Sequence, residues 1–112
     1  IGAITTVHQF CKMGDYSFAG MNTSITMDVP AYVKVASDPA RVIGLNSVGM
    51  TRNGINKESI SLMKKAYKLL YRKNLKIEKA IEQIKGLYND SNDQHLKTFI
   101  KSLEISERGI LR

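Results

Sequence analysis

Ile1-Gly2-Ala3-Ile4-Thr5-Thr6-Val7-His8-Gln9-Phe10-Cys11-Lys12-Met13-Gly14-Asp15-Tyr16-Ser17-Phe18-Ala19-Gly20-Met21-Asn22-Thr23-Ser24-Ile25 is the stretch whose reading decides the fold. Stepping by six from its first residue meets Ile1, Val7, Met13, Ala19 and Ile25, all apolar. Glycine follows that position at Gly2, Gly14 and Gly20, where a sharp turn asks for positive φ. The pattern is that of a hexapeptide parallel β-helix, each hexad giving one short strand and one turn with its aliphatic pointing into the prism. One coil takes three hexads, so fewer than two full coils are present. Such repeats bury their faces only against neighbours. The first strand is therefore expected to show an open edge, with further coils upstream.

Outward from this stretch the period changes. Asp28-Val29-Pro30 breaks the hexads and is expected to end the prism, with Tyr32-Val33-Lys34-Val35 as one more extended strand. Ser37-Asp38-Pro39 signals a turn, and Gly44 to Asn56 reads as an ordered loop. Asn56 is a good N-cap, with Ile55 and Ile60 placed as a hydrophobic staple. Ile60, Met63, Tyr67, Leu70 and Tyr71 form a helical stripe. Asn74 is expected to open a second helix carrying Ile77, Ala80, Ile81, Ile84 and Leu87. Ser91 with Gln94 is read as the capping box of a third, carrying Leu96, Phe99, Ile100 and Leu103. The fold class is thus α+β, the end of a left-handed parallel β-helix followed by a small three-helix domain. Residues 1–35 are assigned to coils, 36–56 to the connection and 57–112 to the helices. The tail Arg108-Gly109-Ile110-Leu111-Arg112 is left to pack back or to fray.

Composition bounds the function. The chain has 112 residues and 43% hydrophobic content, suited to one globular domain. No apolar run approaches the ~20 residues of a membrane span. Cys11 is the lone cysteine, which rules out an intrachain disulfide or a multi-cysteine metal site and suits a reducing, cytoplasmic compartment. As a nucleophile beside His8 it lacks a third partner. Net charge is +7, and the basic half is 57–112, with thirteen Lys/Arg against seven Asp/Glu. That half carries no named nucleic-acid signature, and its tyrosines Tyr67 and Tyr71 fall on an apolar stripe, so no nucleic-acid partner is expected.

Specific words narrow the field. Thr6-Val7-His8-Gln9-Phe10-Cys11, Asp28-Val29-Pro30, Tyr32-Val33, Gly44, Asn46, Gly49, Arg52, Ala66-Tyr67-Lys68-Leu69, Tyr71-Arg72 and Arg108-Gly109 resemble the UDP-N-acetylglucosamine acyltransferases of lipid A biosynthesis, over the whole chain. The resemblance implies a homotrimer with active sites between subunits. It implies transfer of a 3-hydroxyacyl chain from acyl carrier protein to the 3-hydroxyl of UDP-N-acetylglucosamine, without metal or cofactor. The general-base histidine of the family lies on an earlier coil, so no catalytic residue falls in this chain, which is expected to be inactive alone. An activated thioester donor asks only for one base and for oxyanion donors.

The same resemblance places His8, Gln9, Asn46 and Arg52 on the nucleotide sugar. Met21 falls at an acyl-groove position where glycine admits longer chains, which implies a shorter donor. Lys64, Lys65, Lys68, Arg72, Lys73 and Lys76, with Lys79 beside them, fall on the face implied to dock acyl carrier protein. The bland readings are a turn residue for His8, plain packing for Met21 and solvated surface charge for the cations. The sequence departs from the family at Val48, commonly Glu, at Asn53, commonly Arg, at Thr51, near which Lys is usual, and at Pro39, sometimes His. These departures leave open a paralogue acylating another UDP-amino sugar, on an amine rather than a hydroxyl. A rival from another class is a non-catalytic module in which a basic helical bundle binds an acidic partner.

Overall fold

The computed structural model describes residues 5–7, 14–20, 23–25, 27–37, 40–106 and 109–111. Among these residues five strands come first: β1 (Thr5–Val7), β2 (Phe18–Ala19), β3 (Thr23–Ile25), β4 (Val33–Ala36) and β5 (Arg41–Leu45). Four helices follow: α1 (Ser47–Arg52), α2 (Lys57–Tyr71), α3 (Ile77–Ser91) and α4 (Gln94–Glu104).

β1 pairs in parallel with β3, Thr5 opposite Thr23 and Val7 opposite Ile25. Eighteen residues separate the partners, which is three hexads and one coil. Ala19 and Ile25 are 0% and 1% exposed, so the repeating aliphatic does face the interior at these two hexad positions. The next step of six, Ala31, is also fully buried. Stacking therefore runs past Asp28-Val29-Pro30: Gly14 N–H donates to Val29 O at 2.8 Å, Tyr32 N–H donates to Asp15 O at 2.8 Å, and β2 pairs in parallel with β4. There the spacing falls to sixteen residues, Phe18 opposite Lys34, so the last coil is two residues tighter.

The glycine rationale changes too. Gly14 and Gly20 are not among the residues at positive φ; Tyr16, Tyr32 and Ser37 are, at 58°, 65° and 82°. Gly14 is needed for space, because a Cβ there would run into the backbone of Ala31. The left-handed tyrosines cost roughly 1–3 kcal/mol each. Offsetting this, their rings stack at 5.3 Å with 14° between planes, and Tyr32 is completely buried, worth about 1.5–3 kcal/mol for a large side chain.

Residues 41–52 are not a loop. β5 returns antiparallel on β4, with a register shift between Lys34 and Val35, and α1 follows at once. The alternation of Arg41-Val42-Ile43 is too short to stand out in sequence, and a strand here is stabilised by pairing, not by propensity.

The helices lie where the stripes placed them, with corrected starts. Asn56 caps α2, its side chain accepting from Ser59 N at 2.8 Å. Asn74 does not open α3; it sits at φ 55°, and Lys76 is the N-cap without a side-chain bond. Ser91 ends α3, and Asp93 caps α4 by accepting from His95 N and Leu96 N at 2.9 and 3.1 Å. α2, α3 and α4 pack on one another around Met63, Leu70, Ile84, Leu96 and Phe99, all 0% exposed. Coils and bundle share one core, pinned by Ala31 N–H donating to Ser102 Oγ at 3.0 Å and by the Tyr32 hydroxyl against His95 Nδ1 at 2.8 Å. The tail packs back: Asp28 bridges Ile110, Ile110 is 5% exposed, and Tyr71 donates its hydroxyl to Leu111 O at 2.8 Å.

Candidate functional site

β2, β4 and α1 enclose an open depression of about 260 Å³, lined by Phe18, Lys34, Asn46, Val48, Gly49 and Arg52. Two of the residues singled out for the nucleotide sugar, Asn46 and Arg52, meet here. His8, Gln9 and Met21 lie outside the described residues. Lys34 and Phe18 were missed. The signal for Lys34 was the alternation Val33-Lys34-Val35, in which both valines are buried and the lysine faces out.

Asn46 is a clamp as much as a contact. Its Oδ1 accepts from Gly49 N at 3.2 Å, capping α1, and its Nδ2 donates to Tyr16 O at 2.8 Å. One amide N–H and one lone pair remain for a ligand. A Cβ on Gly49 would collide with the Asn46 amide, so this glycine keeps the clamp in place. Arg52 is exposed in the last turn of α1, and neither it nor Lys34 has an ion-pair partner among the described residues. Asn53, standing where a second cation was expected, turns back to donate to Gly49 O at 2.7 Å. Val48 is 58% exposed and offers the depression only apolar surface.

Lys64, Lys65, Lys68, Arg72, Lys73 and Lys76 are all exposed. Lys64, Lys68 and Arg72 are spaced by four and share one row along α2. Among the described residues none of the six has a salt-bridge partner, whereas Lys79 pairs with Glu82 at 3.8 Å. Like charges along one helix row repel by a few tenths of a kcal/mol per pair, a standing attraction for an acidic surface.

A second polar cluster is structural. Tyr32, His95, Asp93 and Ser59 connect the last coil, α4 and α2, Ser59 Oγ donating to Asp93 Oδ2 at 2.6 Å. Burial pushes the Tyr32 hydroxyl up to about 12, a hydrogen bond with Thr98 offsetting part of the rise and Tyr16, Asp15 and Asp93 adding to it. Among the described residues no three His, Cys, Asp or Glu gather into a metal site, and no helix is long and apolar enough to cross a membrane.

Stacked parallel coils of eighteen and then sixteen residues, closed by a hairpin and a three-helix bundle beside a cationic depression, define the class: the end of a left-handed β-helix with its helical domain. The family of UDP-N-acetylglucosamine O-acyltransferase, domain 2, matches residues 28–111, and the chain belongs to that family. The acyl-(acyl-carrier-protein)-UDP-N-acetylglucosamine O-acyltransferase of Ectopseudomonas mendocina is 41% identical over 112 residues, covering all of this chain and 43% of the relative. The solved UDP-N-acetylglucosamine O-acyltransferase of Moraxella catarrhalis superimposes with a TM-score of 0.90 at 36% identity, covering 96% of this chain and 41% of that one. The corresponding structure from Acinetobacter baumannii also gives 0.90, at 42% identity over 96% of this chain and 42% of its own. The chain thus spans less than half the length of the relatives it matches.

Proposed function

We propose that this chain is the part of an acyltransferase that completes the nucleotide-sugar site and docks the acyl donor. The reaction is transfer of a 3-hydroxyacyl chain from acyl carrier protein to the 3-hydroxyl of UDP-N-acetylglucosamine, in a cytoplasmic homotrimer. The observation that carries the reading is the pair of cations Lys34 and Arg52, without ion-pair partners among the described residues, sharing one depression with Asn46 in a chain of this family. A guanidinium fork there suits diphosphate oxygens. His8 and Gln9 contact the sugar, Met21 limits the acyl groove, and the base that deprotonates the hydroxyl comes from another coil. The row Lys64, Lys68 and Arg72, with Lys65, Lys73 and Lys76, meets the acidic carrier protein. Met21 fills volume that glycine leaves open, so the donor is a short-chain one.

Exposed Val48, and Asn53 with its amide committed to Gly49 O, support a second reading, in which the acceptor differs at the reacting position and presents an amine. One assay separates the two. The full-length protein carrying this chain is given 3-hydroxyacyl carrier proteins of increasing chain length, with UDP-N-acetylglucosamine or its 3-amino analogue as acceptor. The expected result is transfer to the hydroxyl acceptor with shorter chains preferred. Transfer to the amine alone supports the second reading, a long-chain preference removes the role of Met21, and no transfer to either acceptor removes both readings.

A further inference from the structure

We infer that the cleft between β5 and the end of α2 binds a phosphate-class dianion, apart from the depression at Arg52. The cleft holds about 360 Å³ and is lined by Arg41, Val42, Tyr67, Tyr71, Arg72 and Leu111 together with Ala40, a size within the range of small-molecule sites. Two arginines from different elements line it, and no acidic side chain among the described residues does. Both guanidiniums are exposed and neither has an ion-pair partner among the described residues. Arg72 has a plain helical account, because the C-terminal end of α2 favours a cation. Arg41, the first residue of β5 and paired with Ala36 of β4, has no helix end to favour it.

The cleft also offers a neutral donor. Tyr71 is committed to Leu111 O at 2.8 Å and serves as wall, its ring 4.9 Å from that of Tyr67. The Tyr67 hydroxyl makes no hydrogen bond with any described residue. Two planar forks and one hydroxyl around an aromatic floor match a tetrahedral oxyanion, which guanidinium groups pair with bidentately. An anion there also relieves the repulsion between two like charges held in one concavity.

The test does not depend on the acyltransferase reading. Inorganic phosphate, a single tetrahedral dianion and not the diphosphate that the Arg52 depression suits, is titrated into the full-length protein at low salt by calorimetry, with Arg41→Gln, Arg72→Gln and Arg52→Gln compared. Both cleft side chains are exposed, so the fold is retained, as circular dichroism will verify. The expected result is a saturable event weakened about tenfold or more by Arg41→Gln and by Arg72→Gln, partly kept in Arg41→Lys, and unchanged by Arg52→Gln. Binding lost in Arg52→Gln alone, or no saturable event, overturns the site. Failure of acyl transfer with this event intact would count against the acyltransferase reading only.

Discussion

Asp93 is a single residue on which three elements converge, and its removal makes the sharpest prediction about stability. Oδ1 caps α4 through His95 N and Leu96 N, and Oδ2 accepts from Ser59 Oγ on α2, a residue 6% exposed. Asp93→Ala loses the cap, about 1 kcal/mol, and leaves a nearly buried hydroxyl without its acceptor, about 1–3 kcal/mol. Together these come to about 2–4 kcal/mol, or roughly a 30- to 700-fold larger opening equilibrium constant. Native-state hydrogen exchange reads this directly at the α4 amides from Leu96 to Leu103, without assuming that the whole protein unfolds as one unit. Asp93→Asn keeps the capping oxygen and puts an N–H donor where Oδ2 stood, to which the Ser59 hydroxyl can turn its lone pair, so it should cost less than about 1 kcal/mol. The pH dependence follows from the carboxyl. Burial by itself raises it, but hydrogen bonds from Ser59, Leu96 and His95, with the charge of His95, hold it below its ordinary value of 3.8. A depressed acid contributes stability that is complete above about pH 4 and is lost as pH falls through the lower folded value. Protection of α4 should therefore decline on acidification below about pH 4, with that part of the decline absent in Asp93→Asn. If Asp93→Ala and Asp93→Asn exchanged alike, the capping argument would be refuted.

Three further outcomes are expected. Gly14→Ala drives a Cβ into the Ala31 backbone and should cost about 1–3 kcal/mol as overpacking, seen as a lower urea midpoint; an unchanged midpoint would mean that the coils shift freely. Tyr32 has its hydroxyl raised from 10.0 to about 12, so its contribution is present below about pH 10 and is lost as pH rises through the folded value. Tyr32→Phe should flatten that alkaline loss, and a spectrophotometric titration should find one tyrosine ionising late. Arg52→Ala should raise KM for the nucleotide sugar about tenfold or more with little change in kcat, and an unchanged KM removes Arg52 from the site.

What could be read from the residues was what repeats or alternates. The step of six through Ala19 and Ile25, the stripe Met63, Tyr67 and Leu70, and the stripe Leu96, Phe99 and Leu103 each repeat one burial decision several times. Periodicity therefore survives local noise. Asn46 and Arg52 were legible as a pair only through resemblance to a family, since nothing in their spacing brings them together. Tertiary structure decided the rest. β5 and α1 exist because β4 offers a pairing edge and Asn46 reaches Tyr16, thirty residues away. Asp93, not Ser91, caps α4 because Ser59 on another helix holds its second oxygen. Gly14 is glycine because of Ala31 on the next coil, and Arg41 meets Arg72 because a strand and a helix end pack side by side. Each of these depends on groups far apart in the chain competing for one space or one hydrogen bond, and such competition is settled only when the chain is folded.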